Sequence, residues 1–174
     1  MNKEQLIEKI KEKLLTDSFG RRDICTIYRD NELMNIIIDE LAAPYRGKVD
    51  YVAAPESLGF ILGTYLSAAL GVGFIPIRNG NIAVLQADDA IRASYIDHRD
   101  TARTLQVRKS NLPKDSKVLL VDDWVETGST LHACRDILDE AGAKCVGIAA
   151  IGCNINERSK EMLEQGILFC IAQA

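Results

Sequence analysis

The feature that most constrains the fold is the run Val118-Leu-Leu-Val-Asp-Asp-Trp-Val-Glu-Thr-Gly-Ser-Thr130. Its first four residues are apolar and predict a short buried strand, which ends at Asp122 and Asp123. A short loop then leads into a segment with helical periodicity. A buried strand, a loop and a helix in this order form the repeating unit of α/β proteins, which bind ligands at the carboxyl ends of their strands.

The loop at 126–130 has the composition of a phosphate site. It offers backbone N–H groups at a helix N-terminus, a glycine that lets the backbone approach closely, and the hydroxyls of Thr127, Ser129 and Thr130. Asp122 and Asp123 precede it and are placed to hold ribose hydroxyls, so the pair of features predicts a sugar 5′-phosphate site. The alternative is an ordinary turn in which Thr127 or Ser129 caps the helix.

Helical and strand patterns alternate along the chain and predict an α/β fold, with a mostly parallel sheet flanked by helices on both faces. We expect one domain over residues 1–174. The predicted helices are 3–15, 31–43, 58–70, 130–141 and 156–165. The predicted strands are 49–54, 74–77, 117–121, 145–151 and 167–171.

The sequence resembles the type I phosphoribosyltransferases, and among them the adenine phosphoribosyltransferase-like purine enzymes. Three stretches carry the resemblance: the 118–130 run, Ala54-Pro-Glu-Ser-Leu-Gly-Phe-Ile-Leu-Gly63 with the following 70–78 segment, and Arg22-Asp-Ile24. The resemblance implies the type I fold, with a helical N-terminal hood at about 1–30. It also implies transfer of the phosphoribosyl group from phosphoribosyl pyrophosphate (PRPP) to a purine or purine-like base, with release of pyrophosphate.

The same resemblance implies site residues. Asp122 and Asp123 would hold the ribose and, indirectly through it or through water, Mg²⁺, and Asp123 would also be catalytic. The 5′-phosphate would lie on Thr127, Gly128, Ser129 and Thr130. The pyrophosphate group would be bound by Glu56, Ser57, Leu58, Gly59, Arg78, Arg99 and Arg103.

Residues 79–110 form a long polar segment between two predicted strands. Such an excursion is usually functional or disordered. Tyr95–Arg99 and Thr104–Arg108 are expected to pair as a flexible hairpin that closes over the site and excludes water. One or two of Arg99, Arg103 and Lys109 would then reach the pyrophosphate. The alternative is a solvated charged ribbon.

Glu126 is the candidate general base. The resemblance places it where oxopurine enzymes carry Asp near a purine imidazole nitrogen, whereas adenine enzymes usually carry a small residue there. The alternative is a loop side chain that faces solvent. Asn154 and Trp124 are the candidate base contacts, and for Trp124 a buried packing role is the alternative.

Three departures from the adenine enzymes concern the pyrophosphate and base parts of the site. Leu58 stands where the family usually has Arg, and Leu cannot imitate a bidentate phosphate contact. His98-Arg99-Asp100 replaces a Glu-Tyr-Gly segment, and Arg21 replaces an aromatic residue. These changes leave open a second function, a non-catalytic regulator that binds PRPP or a nucleotide on the same fold.

Charge and composition limit the partners. The net charge is −4 and the pI about 5.3, which argues against nucleic-acid binding. The longest apolar runs are too short for a membrane span. Five cysteines without paired metal spacing, together with a polar N-terminal segment, predict a cytoplasmic protein. The family resemblance adds Mg²⁺, PRPP, a nucleobase and a homodimer.

Overall fold

The computed structural model describes residues 1–16, 22–80, 89–97 and 101–174. Its centre is a seven-stranded sheet with the order β5-β6-β4-β3-β7-β8-β9. The strands are β3 (Tyr51–Pro55), β4 (Gly73–Asn79), β5 (Ala90–Ile96), β6 (Ala102–Arg108), β7 (Lys117–Val125), β8 (Lys144–Cys153) and β9 (Leu168–Gln173). The five strands from β4 to β9 in this order run parallel, and β6 and β5 add an antiparallel edge.

The helices begin and end at residues with clear local signals. They are α1 (Lys3–Lys13), α2 (Cys25–Tyr28), α3 (Asn31–Ala42), α4 (Leu58–Leu70), α5 (Ser129–Ala141) and α6 (Glu157–Glu164). Asn2 and Asn156 form capping boxes at the starts of α1 and α6. Gly71 and Gly142 end α4 and α5 in the left-handed conformation, with φ of 70° and 74°, which glycine adopts without steric cost.

Two apolar layers cover the sheet. On one face, α1, α3 and α4 contribute Ile10, Ile37 and Leu62, all fully buried. On the other face, α5 contributes Leu131 and Ile137, which are buried to the same degree. This arrangement confirms the predicted α/β fold with helices on both faces. Among the described residues, no helix is long and apolar enough to cross a membrane.

The order of the parallel strands places a crevice between β3 and β7. From β3 the chain passes through α4 to β4 on one side, and from β7 it passes through α5 to β8 on the other. Such a reversal of strand order opens a space at the carboxyl ends of the two central strands, where open α/β sheets bind ligands. The segments after β3 and β7 are the ones singled out from the sequence.

One predicted strand end was wrong, and the hairpin predicted from Tyr95–Arg99 and Thr104–Arg108 is longer than expected. Strand β7 continues to Val125, so Asp122 and Asp123 lie within the strand, and Asp122 is in register with Ala150 of β8. Much of the segment 79–110 is also strand: β5 and β6 pair over seven residues, and β6 joins β4 through Arg78 and Gln106. In β5 the exposed Arg92 and Ser94 alternate with the half-buried Ala93 and Tyr95, so one face of this strand is packed while the other faces solvent.

The N-terminal segment contains a small two-stranded ladder. Strand β1 (Leu15–Thr16) pairs antiparallel with β2 (Arg22–Asp23), with Leu15 opposite Asp23. The guanidinium of Arg22 donates to the hydroxyl of Thr16 at 2.9 Å. Helix α1 anchors the segment through Leu6 and Ile10, which are buried in the core. The ladder therefore holds Arg22 and Asp23 at the edge of the crevice.

Candidate active site

The start of α4 and the end of β7 approach closely in the crevice. A Cβ atom placed on Gly59 would lie 3.4 Å from Oδ1 of Asp122, which is ordinary van der Waals contact. The two predicted segments, one for pyrophosphate and one for ribose, are therefore neighbours in space although 63 residues separate Gly59 from Asp122 in the sequence. The crevice brings both parts of the predicted site together.

The two adjacent carboxyl groups have raised pKa values. Burial raises the pKa of Asp122 well above its ordinary value, and the neighbouring charge of Asp123 raises it further. Burial also raises the pKa of Asp123, although hydrogen bonds from Asp122 and from the backbone of Trp124 oppose the shift. The backbone amide of Asp123 donates to Oδ1 of Asp122 at 3.0 Å. A ligand that brings hydroxyl donors or positive charge would favour the ionised forms of both carboxyl groups.

The loop after β7 has the geometry of an anion site. Gly128 is buried and has φ of 77°, and it precedes the first residue of α5. The hydroxyl of Thr127 donates to Oγ of Ser129 at 3.1 Å, and the backbone amide of Ser129 points to Oγ1 of Thr127 at 3.4 Å. A pocket of about 110 Å³ has Thr127, Gly128, Thr130 and Asp122 in its wall. Three of the four predicted 5′-phosphate residues therefore border one space, and Ser129 lies outside its wall.

A second and larger pocket, of about 410 Å³, shares Trp124 and Glu126 with the first. The residues that line it are Arg22, Asp23, Cys25, Leu58, Asp123, Trp124 and Glu126. It joins the Arg22-Asp-Ile24 segment to the end of β7 and to the start of α4. We call it the base-side pocket.

Glu126 is held at this pocket by two donors. Its Oε1 accepts a hydrogen bond from the backbone amide of Arg22 at 3.0 Å. Its Oε2 accepts from Nδ2 of Asn154. Since an ionised carboxylate has about four acceptor positions, Glu126 keeps capacity for a further donor from the pocket. The side chain is partly buried, in contrast to the solvent-facing loop residue that was the alternative.

Asn154 acts on Glu126 and Trp124. Its Oδ1 accepts from Nε1 of Trp124 at 2.9 Å while its Nδ2 donates to Glu126. Both ends of the amide are thus engaged, and Asn154 does not line the base-side pocket. This position favours an orienting role over the predicted direct base contact.

Trp124 is a core residue with one edge at the site. It is 5% exposed and faces Gly152 across the β7–β8 pair. A Cβ atom on Gly152 would lie 2.2 Å from Cζ3 of the indole, so only glycine leaves room for the ring at this position. Most of this side chain is packed in the core, as the alternative interpretation expected. Trp124 also forms part of the walls of both pockets.

The segment after β3 contains the predicted pyrophosphate residues. The peptide bond between Glu56 and Ser57 is cis. Oε2 of Glu56 accepts from the backbone amide of Asn79 at 2.9 Å and lies 3.9 Å from Nε of Arg78. That Nε is buried and, within the described part of the chain, makes no hydrogen bond. An unsatisfied buried donor beside this segment is suited to an anionic ligand.

Three cations of the hairpin were predicted to reach the pyrophosphate, and the structure describes two of them, Arg103 and Lys109. Arg103 donates through Nε to Asp97 at 2.9 Å, and Asp97 contributes to the wall of the pocket that contains Thr127 and Gly128. Lys109 begins a short 3₁₀ turn after β6 and is exposed. Arg99 lies outside the described residues, as do the whole 98–100 segment and Arg21.

Tyr28 lies beside the candidate site and Cys25 lines it, and the sequence indicated neither residue. The hydroxyl of Tyr28 donates to the carbonyl of Leu58 at 3.3 Å. Burial, and then the charges of Asp123 and Asp122, raise the pKa of Tyr28, so its phenol stays protonated. Cys25 is exposed in the base-side pocket, and a hydrogen bond with Asp23 and burial raise its pKa. The one sequence signal that could have indicated them is that they closely follow the Arg22-Asp-Ile24 segment.

Comparisons with known proteins agree with this geometry. A family model described as the phosphoribosyl transferase domain matches residues 26–169. The adenine phosphoribosyltransferase of Clostridium botulinum is 32% identical over 145 residues, which cover 82% of this chain and 81% of that protein. The chain belongs to the phosphoribosyltransferase family.

Solved phosphoribosyltransferase structures share the fold over nearly the whole chain. The adenine phosphoribosyltransferase of Thermoanaerobacter pseudethanolicus superposes with a TM-score of 0.84 and 26% identity, covering 97% of this chain and 99% of that one. The Giardia lamblia enzyme, in complex with 9-deazaadenine, superposes with a TM-score of 0.85 and 26% identity, covering 100% of this chain and 98% of that one. The predicted family and its fold are confirmed.

Proposed function

We propose that this phosphoribosyltransferase transfers the 5-phosphoribosyl group of PRPP to a purine base and releases pyrophosphate. One observation carries the proposal: the ends of β3 and β7 bring Gly59, Asp122 and the 127–130 loop around one crevice. These segments supply surfaces for the pyrophosphate, the ribose and the 5′-phosphate in that order. The base-side pocket opens next to the ribose position, at Asp123.

The chemistry assigned to the protein follows from where charge develops. The bond from C1 of the ribose to the pyrophosphate oxygen breaks, and a bond from C1 to a base nitrogen forms. C1 becomes positive as the leaving group departs, and the ionised forms of Asp122 and Asp123 favour that charge. The 127–130 loop anchors the 5′-phosphate and so fixes C1 between the base and the leaving group. The base loses the proton of its N–H group.

Glu126 is the group proposed to accept that proton. It lies in the wall of the base-side pocket, and Arg22 and Asn154 fix its orientation. A positioned carboxylate of this kind contributes general base catalysis. The related bacterial enzymes named above are adenine phosphoribosyltransferases, which makes adenine the first base to test. The carboxylate at 126 makes hypoxanthine and guanine the next candidates.

Mg²⁺ is proposed to enter with the substrate. In the described part of the chain, no three His, Cys, Asp or Glu side chains are grouped so as to hold a metal ion. The adjacent carboxylates of Asp122 and Asp123 nevertheless fit an ion that keeps several waters and takes its other ligands from substrate phosphates. When bound, the ion would neutralise charge on the departing pyrophosphate.

A homodimer is proposed through the outer face of α4. Phe60, Ile61, Thr64, Tyr65 and Ala68 line an apolar depression on this helix, where Ile61 is 40% and Tyr65 is 50% exposed. Because α4 starts at the pyrophosphate segment, a partner there would adjoin the site. Tyr65→Glu should shift the sedimentation coefficient from dimer to monomer, whereas wild-type protein that sediments as a monomer would refute the dimer.

All five cysteines are free thiols, which fits the proposed cytoplasmic location.

The proposed function is tested by measuring pyrophosphate release from PRPP and Mg²⁺ with adenine, hypoxanthine, guanine, xanthine and uracil. Release that depends on a purine supports the proposal and names the acceptor. Binding of PRPP without release with any base would favour the non-catalytic regulator instead, a function to which the enzyme relatives give no support.

A further inference from the structure

Helix α6 packs directly on the phosphate loop. A Cβ atom on Gly128 would lie 3.6 Å from Cβ of Arg158 and 3.1 Å from Cε of Met162. Asn156, which caps the helix, donates through Nδ2 to the carbonyl of Glu126 at 2.8 Å. The first turn of α6 is therefore fixed against the 126–128 segment, and the position of Arg158 relative to the loop is well defined.

Arg158 contacts a hydroxyl of the loop. Its Nη1 donates to Oγ of Ser129 at 2.6 Å, and Oγ of Ser129 also accepts from the hydroxyl of Thr127 at 3.1 Å. A serine hydroxyl has two acceptor lone pairs and one hydrogen. Because both lone pairs are occupied, the hydrogen of Ser129 is free to be donated to a ligand. Arg158 and Thr127 thereby leave the Ser129 hydroxyl as a donor on the phosphate loop.

Arg158 also brings positive charge to a loop that has none. Residues 127–130 contain no cationic side chain. Within the described part of the chain, no carboxylate lies within ion-pair distance of Arg158, and the neighbouring Glu157 is exposed to solvent. The guanidinium lies in the wall of a second opening on the loop, of about 430 Å³, shared with Thr127, Asn156 and Glu157. A guanidinium has further N–H groups that match phosphate oxygens.

We infer that Arg158 is a 5′-phosphate-binding residue of this enzyme, which donates to the phosphate and holds Ser129 in its donor orientation. The inference rests on the proposed function, because it assigns a role to Arg158 in the same site. It adds a cation from α6 to an anion site otherwise built from backbone amides and hydroxyls. The residue would select phosphorylated sugars over free ones.

The test compares ligands that differ only in the 5′-phosphate. Binding of AMP, adenosine and ribose 5-phosphate is measured by isothermal titration calorimetry for the wild type, Arg158→Met, Arg158→Lys and Lys160→Met. Lys160 is an exposed cation on the same helix and is the matched control. Arg158→Met should weaken AMP and ribose 5-phosphate about tenfold or more, since hydrogen bonds to charged groups are the strong ones. Adenosine affinity should not change, and Arg158→Lys should lose less than Arg158→Met.

The outcomes separate the inference from the proposed function. Equal affinity of the wild type and Arg158→Met for AMP would overturn the inference alone. Equal weakening of AMP and adenosine would do the same, because it would show a general structural role. Wild-type protein that binds neither AMP nor ribose 5-phosphate would overturn both proposals. A loss confined to phosphorylated ligands and absent from Lys160→Met supports the inference.

Discussion

The backbone amide of Arg22 donates to the carboxylate of Glu126 at 3.0 Å, across 104 residues of sequence. This bond joins the N-terminal ladder to the loop after β7 and closes one side of the base-side pocket. On its other oxygen Glu126 accepts from Asn154, which is in turn held by Trp124. Three residues from three parts of the chain, Arg22, Asn154 and Trp124, therefore fix one carboxylate.

Glu126→Gln should lower kcat about 10²- to 10⁴-fold, the usual contribution of a general base. The amide has a similar shape but cannot take the proton of the base, and its NH₂ group would face one of the two donors. The KM for PRPP should change little, because Glu126 is assigned to the base and not to the phosphates. Steady-state kinetics with the preferred base give both values.

Glu140→Gln is the matched control, since Glu140 is exposed near the end of α5. The control should behave like the wild type. An unchanged kcat in Glu126→Gln would show that Glu126 is not the general base and has only a structural role.

Gly152→Ala should destabilise the protein by about 1–3 kcal/mol, the usual cost of overpacking. The new Cβ would lie 2.2 Å from the indole of Trp124, which must move and so weaken its bond to Asn154. Thermal denaturation should show the loss, and the affinity for the base should fall with it. In a Trp124→Leu background the same substitution should cost much less. Equal costs in the two backgrounds would show that the indole does not set the requirement for glycine.

Asp122→Asn should stabilise the folded protein at neutral pH while it impairs turnover. The pKa of Asp122 is raised above its ordinary value of 3.8, mainly by burial, so the folded state holds a proton that the unfolded state has lost. Between those two pKa values, stability therefore falls as pH rises. Asparagine has no charge to bury and avoids this loss.

The melting temperature tests the argument for Asp122. The difference between Asp122→Asn and the wild type should be small near pH 3.8 and grow toward neutral pH, by about 2–4 °C for each kcal/mol regained. A difference that is constant over this range, or that shrinks with rising pH, would contradict a raised pKa at Asp122.

Leu58→Arg should strengthen pyrophosphate binding about tenfold, because a guanidinium forms charge-assisted hydrogen bonds that leucine cannot. The side chain of Leu58 is partly exposed at the start of α4, directly after Glu56 and Ser57, so a longer one has room to extend. Calorimetric titration with Mg²⁺-pyrophosphate measures the gain, and Leu58→Met should leave the affinity unchanged. Weaker binding by the Arg variant would show that the segment 56–59 is arranged around leucine.

The sequence predicted the fold well where the signals were local. Helix α4 was predicted with its observed bounds, because its apolar run begins after Ser57 and ends at Gly71. The extent of β7 was underestimated because two carboxylates interrupt its apolar pattern, although the pairing with β8 continues past them. The β5–β6 hairpin was expected only over Tyr95–Arg99 and Thr104–Arg108, because its alternation of polar and apolar residues is short and rich in charge, whereas the pairing extends back to Ala90 and Arg108.

The sequence indicated which segments would converge at the candidate site, but not the side-chain contacts between them. Gly59, Asp122 and the 127–130 loop converge because parallel strands end at one edge of a sheet, a regularity available from sequence. The bond between Arg22 and Glu126, and the contact of Arg158 with Ser129, depend on side-chain placement between distant segments. No periodicity or spacing encodes such contacts.

Product analysis with PRPP, Mg²⁺ and adenine tests whether the protein transfers a phosphoribosyl group to a base. AMP and pyrophosphate should appear in equal amounts, as measured by mass spectrometry and a coupled pyrophosphate assay, and Asp123→Asn should lower both together. If adenine proves inactive, the same equality must hold for another purine and its nucleoside monophosphate. Pyrophosphate that accumulates with ribose 5-phosphate in place of any nucleotide, or no pyrophosphate with any purine, would contradict phosphoribosyl transfer.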